Sequence, residues 1–365
     1  MWKADRAGAI LEIDLAAVVA NWRFLCAIHP SGPVAGVVKA DAYGLGAAPV
    51  AQALYAAGCR HFFVALLDEA IEIRELVPEA MVAVLGGLMP SNERDYLNFD
   101  IVPVLGSLAE IESWSAAAHA LGHRLPAILH IDTGMSRLGL DPRELAVLQQ
   151  DPMRLDGIEL SFIMTHLVSS ELPDDSLNEL QRRRFEKACG SLPKARRSML
   201  NSSGMFLGPR FAFDLARPGA ALYGINPTPY DETNPMQLPV RLTVRVLAVR
   251  EIGKRQTVGY NATWRAGSPR RIATAAIGYA DGLHRSLSNR GRAFFDGKPV
   301  PLVGRVSMDL TTFDVTKAPG VVPGAWLEIM GPAQTPDDLA VAAGTNAYEV
   351  LTSLGRRFHR TYKSA

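Results

Sequence analysis

Up to about Tyr223 the chain alternates between short, continuously apolar runs and longer segments with helical spacing, and this alternation restricts the fold more than any other feature. AILEID, PVAGVVKA, HFFVAL, MVAVLGG, IVPVLG and PAILHID are separated by LAAVVANWRFL, GAAPVAQALYAAG, DEAIEIREL and LAEIESWSAAAHALG. LDGIELSFIMTH, RRSMLNSS and LARPGAALYG continue the series. Runs that are apolar throughout belong to strands buried on both faces, and helices between them make the sheet parallel. About eight such strands in roughly 225 residues suit a (β/α)8 TIM-like barrel, ordinarily ~250 residues long. A doubly wound open sheet is the alternative, because periodicity does not prove closure.

After about Pro227 the pattern changes. NPTPYDETNPMQLP reads as a linker, and RLTVRVLAVREI, RRIATAAIGYA, RAFFDGKPVPLVG and AWLEIMG are short alternating runs with DG turn signals, as in a smaller β domain. TPDDLAVAAGTNAYEVLTSLG reads as helical, started by Thr335-Pro336-Asp337. The expected division is a barrel over residues 1–230 and a C-terminal mostly-β domain over 231–365, with the first strand near 8–14 free to pack with either.

A chain of 365 residues, 48% hydrophobic and 21% charged, has room for a large core. Its net charge of +1 offers no global field for nucleic acid or acidic lipid. The basic clusters Arg182 to Arg184 and Arg196-Arg197 read as solvated faces. Cys26, Cys59 and Cys189 lie far apart without a CxxC pattern, which argues against a disulfide framework or a zinc site and fits a reducing compartment. Glu12 and Asp14 interrupt the apolar N-terminal run, so neither a signal peptide nor a membrane span is visible and the cytoplasm is expected.

In a barrel, VVKADAYGLG puts Lys39 at the C-terminal end of the second strand, the face where such folds carry their chemistry. The plain alternative is a lysine meeting water. Counting onward, Asp132 and Arg137 follow the sixth strand, His166 the seventh and Ser202 the eighth, and Arg217 precedes the small-residue turn PGAALYG. Arginines and small-residue turns suit phosphate and carboxylate groups, and a desolvated lysine beside them suits an aldehyde cofactor.

These stretches carry a resemblance. EIDLAAVVANWRFL, VVKADAYGLG, DTGMSRLG, THLVSSE, NSSG, RPGAALYG, VGYNATW, IGYADG, VGRVSMD and YEVLTSLGRR resemble alanine racemases along nearly the whole chain. The resemblance implies a homodimeric isomerase that interconverts L- and D-alanine with pyridoxal 5'-phosphate held as an imine on Lys39. It assigns the two catalytic bases to Lys39 and to Tyr260 of VGYNATW, one for each face of the amino acid. It implies that His166 and Arg217 stand behind them, with Arg217 facing the pyridine nitrogen. Tyr43, Ser202, Gly219 and Ala220 are implied as phosphate ligands, Arg137 as the contact of both the cofactor phenolate and the substrate carboxylate, and Met308 as a second carboxylate contact. Glu171, Tyr279, Arg285, Arg305 and Asp309 are implied at the entrance, with a plain surface reading also open for Glu171 and Arg285. Tyr260 and Met308 would serve the neighbouring subunit's site.

The sequence departs from the family at two telling places. Where many members carry a carbamylated lysine that steadies the TGMxRLG arginine, this chain has His130, so Arg137 needs a small anion, chloride foremost, or another acceptor. Where some members place a phosphate-binding tyrosine, this chain has Arg356, which either takes over the phosphate as a charge-assisted donor or marks a loop that runs differently. A racemase of broader specificity, a same-fold decarboxylase and a non-catalytic cofactor carrier are the rival readings. Tyr260 and Arg217 speak against the decarboxylase, and the full β domain speaks against the carrier.

Overall fold

The computed structural model describes residues 4–364. The seven strands that follow β1 (Ala9–Asp14) form one parallel sheet in chain order: β2 (Gly36–Val37), β3 (His61–Val64), β4 (Met81–Val84), β5 (Val102–Leu105), β6 (Leu125–His130), β7 (Ile158–Met164) and β8 (Arg196–Ser198). Both faces of this sheet are covered, which is why Phe62, Phe63, Val64, Ile128 and Leu129 are buried in succession rather than alternately. Single bridges close the ring: Leu215 pairs with Ser198 and Ala216 with Val34, so residues 215–216 stand in the eighth strand position. An open doubly wound sheet would not join its first and last strands in this way.

AILEID, counted above as the first barrel strand, lies elsewhere. β1 pairs antiparallel with β9 (Val240–Ile252), Ile13 opposite Val240, and parallel with His359–Lys363. Ala9, Leu11 and Ile13 are buried while Ile10, Glu12 and Asp14 are partly exposed, an alternation that suits a one-faced sheet rather than a barrel wall. The barrel positions therefore move down by one: Lys39 follows the first barrel strand, Asp132 and Arg137 the fifth, His166 the sixth and Ser202 the seventh.

β9 is the spine of the second sheet, flanked by β1, by Trp326–Met330 and, along its second half, by Arg270–Ala275. The helix Pro336–Ala343 starts at Thr335, whose hydroxyl accepts the Asp338 N–H at 3.1 Å, as its sequence signal indicates. Gly344 ends it in the left-handed region, and the helix Ala347–Thr352 follows. The proline-rich stretch is tethered rather than free: the Gln237 N–H donates to Asn21 Oδ1 at 2.8 Å, and Asn21 Nδ2 donates back to the Gln237 carbonyl at 2.9 Å. One apolar core runs from the barrel through β1 into the second sheet. Among the described residues no helix is long and apolar enough to cross a membrane.

Candidate active site

Lys39 leaves the end of β2 and is followed by an unusual turn. Ala40, Asp41, Ala42 and Tyr43 all adopt left-handed helical angles, with φ of 53°, 54°, 51° and 55°. For residues with a Cβ this costs about 1–2 kcal/mol each, so the surroundings must impose it. They do so through polar contacts at both ends. The Ala40 N–H donates to Glu69 Oε1 at 2.6 Å, the Ala42 N–H to the Val38 carbonyl at 2.9 Å, and the Ala47 N–H to Asp41 Oδ1 at 2.7 Å. Gly44, at φ +82°, lets the turn press against the helix Ala347–Thr352: a Cβ there would stand 2.3 Å from the Leu351 carbonyl oxygen.

The turn sets one wall of a cavity of ≈ 330 Å³ at the C-terminal mouth of the barrel, lined among others by Lys39, Tyr43, Arg137, His166, Ser202, Arg217, Gly219 and Ala220. They come from five separate strand ends or loops, and the barrel brings them together. At the far end Ser202 Oγ accepts the N–H groups of Gly219 and Ala221 at 3.0 and 3.1 Å, which leaves its own proton free for a ligand. Tyr43 is buried beside them, and a Cβ on Gly219 would stand 2.2 Å from its hydroxyl. That hydroxyl makes no hydrogen bond to any described residue, although burial pushes its pKa up to about 12 and keeps it a donor.

The other end gathers two arginines, two histidines and Lys39. Arg217 is buried; its Nη2 donates to the Thr165 carbonyl at 2.7 Å and its Nη1 to Ser198 Oγ. Burial pulls its pKa down to about 9, which still leaves it protonated at neutral pH. His166 is pushed down to about 3 by burial and by Arg217, Arg137, Lys39 and His130, so it is a neutral imidazole. His130 is buried and pushed down to about 4 by burial and Arg217. Lys39 loses its proton more readily than a free lysine because of burial and the nearby Arg137, against an opposing pull from Glu69. The Arg137 guanidinium itself makes no hydrogen bond or ion pair with a described residue. A cavity with phosphate-type donors at one end, a depressed lysine at its side and unpaired cations across from it can hold a doubly acidic, aldehyde-bearing ligand.

The remaining sequence-derived residues are gathered at a second place. Tyr260, at 68% exposure, and Met308, at 54%, do not line the Lys39 cavity. The N–H groups of Tyr279 and Ala280 donate to the carbonyls of Ser307 and Met308, and Gly259, just before Tyr260, packs on Arg305. Asp309 is held by Arg357 Nη1 at 2.7 Å, and the exposed Arg285 sits on the adjoining turn. Glu171 is nearer the cavity, accepting from the Tyr348 hydroxyl at 3.3 Å.

Arg356 lines a separate cleft with Asp41, Glu69 and Arg360 rather than the Lys39 cavity, the alternative in which the loop runs differently. The residue the sequence reading passed over is Tyr348, whose ring lies 6.2 Å from that of Tyr43 and walls the cavity together with Thr352. Its signal was the first tyrosine of YEVLTSLGRR on the inner face of a short helix. Asn201 and Ser203 were also missed, inside the NSSG turn.

The chain is similar to known proteins over nearly its whole length. Residues 13–227 match the family model "Alanine racemase, N-terminal domain" and residues 239–362 "Alanine racemase, C-terminal domain". The alanine racemase of Acidiphilium cryptum is 54% identical over 97% of this chain and 98% of its own length. The catabolic alanine racemase of Agrobacterium fabrum is 46% identical over 98% of this chain and 93% of its own. The crystal structure of alanine racemase from Bartonella henselae with covalently bound pyridoxal phosphate superposes with a TM-score of 0.94 at 40% identity, covering 98% of this chain and all of that one. With both halves matched by the family models and a relative 54% identical over nearly its full length, the chain belongs to the alanine racemase family.

Proposed function

We propose that this chain is a pyridoxal-phosphate-dependent alanine racemase that interconverts L- and D-alanine, supplying D-alanine for peptidoglycan or recovering L-alanine. The observation that carries the reading is a lysine of lowered proton affinity in the same cavity as the Tyr43–Ser202–Gly219 cradle and the buried Arg217. Tyr43, Ser202, Gly219 and Ala220 would hold the phosphate, with Tyr348 beside them. When bound, pyridoxal phosphate would supply an aldehyde for the amino group of the amino acid and an electron sink that makes its α-proton acidic. Lys39 Nζ then takes or returns the proton on one face, and the Tyr260 hydroxyl does so on the other. Arg217 keeps its own protons, so beside the cofactor's ring nitrogen it would act as a hydrogen-bond donor without charging that nitrogen, which would restrain reactions that need a stronger electron sink.

Tyr260 and Met308 are exposed in one chain and absent from its cavity, which supports a homodimer in which each subunit completes the other's site. Leu66, Leu138 and Leu172 are exposed on loops of the same barrel mouth, apolar surface that such a partner would cover. Tyr279, Arg285, Arg305, Asp309 and Glu171 would line the entrance, and Met308 would join Arg137 on the substrate carboxylate. The partnerless Arg137 guanidinium beside a neutral His130 favours a bound chloride there, which anomalous scattering from crystals would reveal. The domain division at residues 230 and 231 and a cytoplasmic setting, suggested by three free cysteines, belong to the same proposal.

Proton NMR of L-alanine in D₂O with cofactor-loaded protein, followed by chiral separation, tests the reading. Loss of the α-proton signal with equal L- and D-alanine at the end is expected. A loaded protein that neither exchanges the proton nor makes D-alanine rejects it.

A further inference from the structure

We infer that Gln181, which does not line the cavity, is a positioning residue for the reaction proposed above: it locks the loop carrying Arg137 to the strand end carrying His166. The helix Ser176–Gly190 turns Asn178, Gln181, Phe185 and Ala188 inward, the spacing of one helical face. Two of those four positions hold amides where apolar side chains would ordinarily pack. Both amides are engaged with backbone beyond the barrel strands. Asn178 Nδ2 donates to the carbonyls of Ser169 and Leu172 at 3.2 and 2.9 Å.

Gln181 does more. Its Nε2 donates to the His166 carbonyl at 2.9 Å and to Thr133 Oγ1 at 3.0 Å, while its Oε1 accepts the Val168 N–H at 2.9 Å. One amide thus brackets Leu167, directly after His166, and reaches across to the loop. Thr133 Oγ1, which accepts from Gln181, shares a second hydrogen bond with Thr165 Oγ1 at 2.8 Å in which either hydroxyl can donate, and the Thr165 carbonyl receives Arg217 Nη2 at 2.7 Å. The loop is already rigid within itself, because the Asp132 carboxylate accepts the N–H groups of Gly134, Met135 and Ser136 at 2.8, 2.8 and 2.9 Å. What remains to be set is where that unit sits relative to His166 and Arg217. Gln181, with Arg184 Nη1 donating to the Thr133 carbonyl at 3.0 Å, sets it. Gln181, Thr133 and Thr165 are all buried, so water cannot take over the lost bonds.

The test uses the full-length, cofactor-loaded enzyme and the variants Q181M, T133V, T133S and the double variant Q181M/T133V. kcat and KM for L-alanine are measured well below each variant's unfolding transition, together with hydrogen–deuterium exchange of segments 132–137 and 165–168. Q181M and T133V are each expected to lower kcat/KM by roughly ten- to hundred-fold. The double variant should lose little more than either single one, because both break the same junction. T133S, which restores the hydroxyl, should recover most of the loss. Exchange should quicken in both segments together and stay unchanged in β4. If Q181M does not fold, the T133V and T133S pair carries the same comparison. A kcat/KM for Q181M or T133V within two-fold of the wild type, additive losses, or faster exchange in only one segment would overturn the inference. A wild-type protein inactive on alanine would instead reject the function proposed above, and the exchange data would then decide alone whether Gln181 joins the two segments.

Discussion

Ala40, Asp41, Ala42 and Tyr43 occupy angles at which a Cβ crowds the following carbonyl, directly behind the lysine on which the chemistry depends. Ala40 is exposed and its backbone N–H is held by Glu69, so its side chain contributes strain with little burial. Ala40→Gly should therefore be neutral or stabilising by up to about 1 kcal/mol, whereas Ala40→Val should destabilise by about 1–3 kcal/mol. Urea unfolding of both variants checks this, and the opposite order would refute the strained turn. His130 offers a second test. It is held neutral in the folded protein, with a pKa pushed down to about 4 from 6.5. Below pH 6.5 the unfolded chain binds its proton first, so stability is full above that pH and falls as pH drops toward 4. His130→Asn should reduce the loss of stability between pH 7 and pH 5 by about 1–2 kcal/mol, measured by denaturant titration at both values.

The helix Ala347–Thr352 shows why an element can matter more than a motif. It touches the cavity through Tyr348 and Thr352 and at the same time presses the Leu351 carbonyl onto Gly44. If Tyr348 assists phosphate binding, Tyr348→Phe should weaken cofactor affinity by about 1.5–3 kcal/mol, roughly 10- to 150-fold in Kd. Arg356→Ala, on the far side of the turn, should leave it within about two-fold. Titration of the cofactor-free protein with pyridoxal phosphate separates the two, and equal losses would return Arg356 to the phosphate. The first strand teaches the same lesson in reverse. AILEID carries a glutamate at its fourth position, an alternation pointing to a one-faced sheet, but the regular series of apolar runs behind it made it look like a barrel strand.

The whole molecule poses the question of where the second base comes from. One chain presents Lys39 inside a cavity and Tyr260 on an open surface. If sites are shared, K39A and Y260F homodimers should each be inactive. Mixing them after reversible dissociation should restore roughly a quarter of wild-type activity, since half the dimers are hybrids and each hybrid has one intact site of two. No recovery, with hybrid formation verified by mass, would mean that Lys39 and Tyr260 meet within one subunit.

Much of this was legible in the chain. Continuous apolar runs require a sheet covered on both sides, and the motifs around Lys39, Arg137, Ser202 and Arg217 placed those residues at strand ends because strand ends are where apolar runs stop. Local chemistry and periodicity determine such things, since both act over a few residues. The partner of β1, the closing of the barrel through Leu215 and Ala216, the exclusion of Arg356 and the inward amide of Gln181 were not legible. Each depends on contacts between segments tens to hundreds of residues apart, whose free energy no single stretch contains. The sequence by itself determined what the pieces are and which chemistry they can carry; the tertiary structure alone decided which of them face one another, because proximity across the chain is a property of packing.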